Sequence, residues 1–336
     1  MGDQCLIMSL LGRIKNSISW YFLGGRKRAE IFARQREENQ RHCYDYPPEN
    51  NGWKKYGDKP VLGDAETGTL FDPYVSVNEN EFVMVVSERK SGNLILLKSN
   101  DGISWGEQTT ILTRKKKTWE DTVNRACILF VDNKWHLWYT GQKGCKSRIG
   151  HLTSNSFKHF SRYSNNQPVI TPTLPEEGDS VMNPCVLWNA EKHIFQMWYA
   201  AGENYEPDIL FYAESTDGNN WHKRETPVLA KLESHEWEAF KVGGCDVKRL
   251  KDGTYIIYYI GYQNLDVTRI CFATSVDGIH WERTSDNYCI SPSKNSWDSD
   301  ACYKPSVVEK DGEYYMWYNG RRETFEYIGL AKKKIE

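Results

Sequence analysis

Three heptapeptides decide the fold: SNDGISW at 99–105, STDGNNW at 215–221 and SVDGIHW at 275–281, all of the form S-x-D-G-x-x-W. A worn copy, SNSFKHF, stands at 154–160. An Asp-Gly pair makes a tight turn because Gly takes positive φ without a steric penalty, and the Trp that follows plugs the next strand into a core. Ahead of each heptapeptide runs an aromatic segment: FVMVVSERK, WHLWYTGQK, FQMWYAAGE, YIIYYIGYQ and YYMWYNGRR, starting at 82, 135, 195, 255 and 314. Ahead of those come DPYVSV, RACILF, NPCVLW, GCDVKRL and KPSVVE. Each unit therefore reads strand, turn, aromatic strand, loop, strand, Asp-Gly turn, strand, the four-stranded sheet of a propeller blade. Five copies predict an all-β, five-bladed β-propeller with antiparallel blades.

The last unit lacks its Asp-Gly turn, and the missing strand is found near the start. WKKYGDKPVL at 53 resembles WHKRETPVL at 221, so residues 53–62 are expected to pair with 328–333 and close the ring, leaving no open sheet edge. The chain then divides into an N-terminal segment, 1–52, and a propeller, 53–336. In the first segment Leu6, Ile7, Leu10, Leu11, Ile14, Ile18 and Tyr21 recur at helical spacing, and a charged second helix is expected over 26–41. The apolar face either packs on the propeller or, flanked by Arg26, Lys27 and Arg28, docks residues 6–30 peripherally on a membrane or a partner protein.

Composition narrows the function. The 13 Trp and 20 Tyr suit both strands and sugar sites, and a formal charge of −2 provides no field to hold nucleic acid. Nine cysteines without a CxxC pair read as reduced core residues, and the histidines form no zinc motif, so no metal or cofactor is expected. No signal sequence or membrane-spanning run is legible, which points to the cytoplasm.

Over residues 53–334, and in the phrase WDSDACYKPSVVEKDGEYYMWYNG, the chain resembles the five-bladed propellers of the glycoside hydrolase family 43, 32 and 130 superfamily. The resemblance implies an oligosaccharide or anionic sugar ligand in the central funnel. It also implies an Asp on the first inner strand as base or nucleophile, an orienting Asp on the third and an acidic Glu on the fourth. Asp72 matches the first position, Asn183 stands at the second and Gly244 at the third, so the usual acid is missing. The remaining inner-strand positions carry Arg125 and Lys304, which suit an anionic ligand unless Asp121 and Asp300 neutralise them. On the second rim Glu88, Arg89, Gln142, Glu203, Asn204, Gln263, Asn264, Arg321 and Arg322 follow the aromatic strands, and Glu203 is the candidate displaced acid. Glu120, Glu177, Glu238 and Asp298 recur near one repeat position, which points to a structural duty. The leading reading is a glycosidase-like or phosphorylase-like protein acting on an anionic or phosphate-bearing glycan, with Asp72 and Glu203 as catalytic candidates. The alternative is a non-catalytic glycan-binding or scaffolding propeller in polysaccharide biosynthesis.

Overall fold

A computed structural model describes residues 25–63, 69–78, 80–157, 159–162, 166–202 and 207–335. The expected first helix, over 6–21, lies outside them. The second is α1, Gly25–Asn39. Thereafter the chain is almost entirely antiparallel strand, as expected where Val, Ile, Tyr and Trp alternate between Gly-bearing turns. The first meander is β2 (Leu70–Asn78), β3 (Glu81–Glu88), β4 (Asn93–Ser99) and β5 (Thr109–Leu112). The second is β6 (Thr122–Val131), β7 (Lys134–Lys143) and β8 (Lys146–Ser154). The third is β9 (Ser180–Asn189), β10 (Ile194–Gly202), β11 (Ile209–Ser215) and β12 (His222–Lys223). Next come β13 (Lys241–Arg249), β14 (Tyr255–Tyr262) and β15 (Thr268–Ser275), with β16 (Tyr288–Ile290) on the outside.

The last meander is β17 (Ala301–Lys310), β18 (Glu313–Arg322) and β19 (Phe325–Lys334), and its outer partner is β1 (Lys54–Lys55). Lys54 pairs with Lys332 and Lys55 with Ala331, and Leu62 bridges Ile328, so the two ends of the propeller share one sheet. One parallel pair, Thr268 with Ala301, links the last two meanders. Propeller architecture follows from these repeated antiparallel sheets.

Each Asp-Gly turn binds two meanders together. Ser99 Oγ accepts the Gly102 amide and Asp101 Oδ1 accepts those of Ile103 and Ser104, which hold the Asp101 carboxyl down at about 2. Gly102 has φ +74°, and its carbonyl accepts the indole N–H of Trp317 at 2.9 Å from the last meander. Gly218 takes Trp138 and Gly278 takes Trp198 in the same way, at 3.0 and 2.7 Å. All three indoles are fully buried between sheets, whereas the Trp residues of the heptapeptides themselves are half-buried.

The recurrent acids form a second inter-strand clamp. Glu120, Glu177, Glu238 and Asp298 are buried, and each accepts the hydroxyl of a core tyrosine: Tyr139, Tyr199, Tyr259 and Tyr318. Each also faces a cation from the outer strand: Arg162, Lys223, Arg283 and Lys55. That cation stands two residues after Phe160, Trp221, Trp281 and Trp53, a periodicity whose purpose only the packing reveals.

One cysteine departs from expectation. Seven cysteines are free and buried, but Cys145 is disulfide-bonded. It lies in the turn between β7 and β8, half-exposed, rather than on an inward strand face where burial would shield it.

A histidine pair lies inside the second meander. His136 Nδ1 lies 3.0 Å from His151 Nε2, and His151 Nδ1 lies 2.9 Å from Asn219 Oδ1. The amide oxygen can only accept, so His151 donates to it from Nδ1, and a neutral His151 then accepts from His136 Nδ1 at its Nε2. Burial pushes His151 down from 6.5 to about 4. A depressed histidine contributes its full stability above the unfolded value and loses it as the pH falls, here between about 6.5 and 4, a total of about 3 kcal/mol. Urea unfolding across this window should therefore show a falling midpoint in the wild type and a flatter one in His151→Phe. Parallel curves would contradict the assignment.

Candidate functional site

Every inner strand is broken by a bulge at one level. Register shifts fall between Phe71 and Tyr74, between Asn124 and Cys127, opposite Trp198 and Ala200, between Gly243 and Cys245, and between Tyr303 and Ser306. The first residue of each bulge is Asp72, Arg125, Asn183, Gly244 or Lys304. Four of them have left-handed backbones, with φ of +56°, +56°, +57° and +49°. Left-handed Arg and Lys are uncommon, and non-Gly residues held in this region cluster where side chains must be aimed.

Three bulges are held by a side chain of the preceding meander. The Asp72 amide donates to Asn319 Oδ1 at 2.7 Å, the Arg125 amide to Ser87 Oγ at 3.0 Å and the Asn183 amide to Thr140 Oγ1 at 2.9 Å. Asn319, Ser87 and Thr140 occupy one repeat position near the end of the aromatic strands. They are positioning residues, and in sequence they are indistinguishable from the other polar residues of a packed strand. Two residues deeper, Cys127 Sγ accepts the Val186 amide and Cys185 Sγ the Val247 amide, both at 3.2 Å, while Asp246 and Ser306 serve Val307 and Val75. The thiols are thus structural supports of the funnel floor.

The side chains in the bulges meet. Asp72 is 1% exposed, and its Oδ2 accepts Arg125 Nε at 2.9 Å. Arg125 Nη1 also donates to Asn183 Oδ1, so Asp72, Arg125 and Asn183 are joined by consecutive hydrogen bonds. Arg125 is therefore paired with Asp72 and not with Asp121, which accepts the Lys117 amide. Asp300 is likewise engaged elsewhere, by Arg36, Gln40 and the Glu323 amide. Lys304 is 4% exposed, and among the described residues its ammonium has no hydrogen bond or ion pair. Asn183 Nδ2 is buried and has no hydrogen-bond partner among the described residues. A Cβ on Gly244 would come within 2.9 Å of that nitrogen, so the space where a fourth-strand acid would begin is taken by the Asn183 amide.

Asp72, Arg125 and Lys304 line a cavity of about 400 Å³. Around it Arg89 pairs with Glu326 and lies 4.4 Å over the Phe71 ring, and Glu326 also accepts the Tyr303 hydroxyl. Gln142 accepts from Asn124 at 3.3 Å, Arg321 donates to the Asp266 carbonyl at 2.6 Å, and Glu88 contributes a wall. The lining holds four cations, Arg89, Arg125, Lys304 and Arg321, against three carboxylates, Asp72, Glu88 and Glu326. Gln263 and Asn264 are not in the lining, Asn264 instead donating to the carbonyl of Asn39, and Arg322 is exposed. Glu203 and Asn204 lie outside the described residues. Among the described residues no three His, Cys, Asp or Glu side chains converge as a metal site, and no helix is long and apolar enough to cross a membrane.

The model of the glycosyl hydrolases family 32 N-terminal domain matches residues 15–123 and 120–266. The chain belongs to this family. Among its relatives is an uncharacterised protein of Mycobacterium tuberculosis (strain CDC 1551 / Oshkosh), 29% identical over 207 residues, which are 58% of this chain and 66% of that protein. The chain thus spans slightly under two thirds of that relative. A 1,2-beta-oligomannan phosphorylase of Thermoanaerobacter sp. (strain X514) is 33% identical over 129 residues, 35% of this chain and 42% of the enzyme. Among solved structures, a thermostable family-43 glycoside hydrolase superposes with a TM-score of 0.62 at 17% identity, covering 84% of this chain and 92% of that enzyme. Another, described as a glycoside hydrolase, superposes with a TM-score of 0.67 at 17% identity, covering 90% of this chain and 96% of its own. At such identity the superpositions speak for the shared propeller of the superfamily.

Proposed function

We propose that this family 32-type propeller cleaves an oligosaccharide with inorganic phosphate as the nucleophile, releasing a sugar 1-phosphate. The observation that carries the reading is Lys304: a nearly buried ammonium without a protein counter-ion among the described residues, in the wall of a cavity where cations outnumber carboxylates. A buried charge without a partner is costly, and an oxyanion ligand removes that cost. Arg125, presented through a bulge beside Asp72, supplies a planar fork for the same anion. Partial identity to an oligomannan phosphorylase supports the choice of phosphate over water.

In this mechanism two protein carboxyl groups are unnecessary. Hydrolysis needs one carboxyl to activate water and another to protonate the leaving oxygen. Phosphate is already a nucleophile, so one acid suffices. Bound phosphate draws Arg125 toward itself, and Asp72, the carboxyl that Arg125 holds at 2.9 Å, serves as the acid. A phosphate oxygen bonds to the anomeric carbon, the glycosidic C–O bond breaks, and the leaving oxygen takes the Asp72 proton. The products are a sugar 1-phosphate and a shortened glycan, and solvent returns the proton to Asp72.

Calorimetric titration with inorganic phosphate tests the reading. Saturable binding is expected in the wild type and at least about tenfold weaker binding in Lys304→Met, the loss of one charge-assisted contact. No binding by the wild type, or equal binding by the variant, would remove the basis for phosphate. The non-catalytic alternative rests on the missing fourth-strand acid at Gly244. It predicts glycan binding without turnover at any phosphate concentration.

A further inference from the structure

The helix α1 does not belong to the propeller ring, yet it docks at the mouth of the funnel. The described contacts there, from the helix and from Gln40 just after it, are polar. Arg36 Nη2 donates to Asp300 at 2.7 Å and Gln40 Nε2 to the same oxygen at 2.7 Å, while Asn39 donates to Asp266. Asp300 also accepts the Glu323 amide at 2.6 Å, and Arg36 Nη1 lies 3.6 Å from Glu323. These contacts leave a hollow of about 170 Å³ bordered by Arg36, Gln40, Asp266, Asp300, Arg321 and Glu323. Arg321 borders both this hollow and the central cavity, so the two adjoin through one side chain.

From this arrangement we infer that the hollow beneath α1 is a second sugar subsite, which takes the glycan unit next to the one held in the funnel. The inference rests on the phosphorolytic reading only for the direction of the glycan, not for the site. Three properties carry it. A volume of 170 Å³ corresponds to roughly six waters of liquid, room for one pyranose ring and not for two. The border is made of carboxylates, amides and guanidinium groups, planar groups that meet the adjacent hydroxyls of a sugar in pairs. The Nε atoms of Arg36 and Arg321 are buried without a hydrogen-bond partner among the described residues, two donors that a ligand hydroxyl would satisfy. A helix added to a fold for stability alone gains most by burying an apolar stripe. At Arg36 and Asn39 the described part of α1 meets the propeller across a polar hollow beside a binding cavity, which suits a subsite wall.

Crystals of the full chain soaked in β-1,2-linked mannotriose with phosphate, and in a mixture of mannose, glucose, galactose and glucuronate with phosphate, test this directly. The expected result is ring density beneath α1 in contact with Arg36 or Arg321 in at least one soak. Calorimetry should show that Arg36→Ala weakens binding of the soaked ligand at least about tenfold while phosphate affinity is unchanged. Phosphate in the funnel with only water beneath α1 in both soaks would overturn the subsite and leave the phosphorolytic reading standing. Sugar beneath α1 with no phosphate in the funnel would do the reverse. If both stay empty, both ideas fall.

Discussion

Asp72→Asn is expected to lower turnover of a cleavable glycan by about 10³-fold while strengthening phosphate binding. The two effects have one cause. Asp72 is the carboxyl of the inner-strand ring that reaches the cavity, and it is the group from which the leaving oxygen takes its proton in the proposed mechanism. Removing a positioned acid costs about 10²–10⁴-fold in rate. The same change removes the negative charge that faces the Arg125 guanidinium, whose Nε donates to Asp72 at 2.9 Å, and a cation without that counter-charge holds an anion more tightly. Kinetics and phosphate calorimetry on one preparation would read both. Loss of turnover with weaker phosphate binding would mean that the substitution disturbed the site as a whole. Unchanged turnover would remove Asp72 from the chemistry. Asn keeps the size of the side chain and suits the left-handed backbone at φ +56°, so the bulge itself should survive.

Glu177→Ala is expected to destabilise the fold by about 3–5 kcal/mol, the usual consequence of leaving one half of a buried ion pair alone. Glu177 is fully buried and accepts Lys223 Nζ at 2.6 and 2.8 Å, the Tyr199 hydroxyl at 2.7 Å, and the Thr173 and Leu174 amides at 2.6 and 2.8 Å. Its removal strands a lysine, a phenol and two amides in one step. Since a domain of this kind holds only about 5–15 kcal/mol in total, the loss should appear as a large drop in the urea midpoint. Replacing both Glu177 and Lys223 with apolar residues should recover much of it, because no unpaired charge then remains. A Glu177→Ala midpoint within error of the wild type would refute the clamp.

The fold was legible because its determinants are local and repeated. An Asp-Gly turn needs positive φ at Gly102, Gly218 and Gly278, and a strand needs wide side chains every second residue; both leave marks in sequence. What the pattern did not show is that each turn carbonyl receives an indole N–H from another meander, since Gly102 and Trp317 are 215 residues apart. The inner-strand positions of the candidate site were legible through spacing, and the structure joins Asp72, Arg125 and Asn183 by hydrogen bonds. Their supports, Asn319, Ser87 and Thr140, lay in plain view in the aromatic segments, but a strand residue whose side chain holds a neighbour's backbone looks like any small polar residue. The isolation of Lys304 and the docking of Arg36 on Asp300 depend on which distant groups are near, and no periodicity encodes that.

The most direct test of phosphorolysis is phosphorus NMR of the wild-type protein incubated with β-1,2-linked oligomannosides and inorganic phosphate. The account predicts a new phosphate monoester signal that grows with loss of inorganic phosphate and is absent with Asp72→Asn. Release of free sugar with no change in the phosphate signal would contradict it and assign the site to hydrolysis.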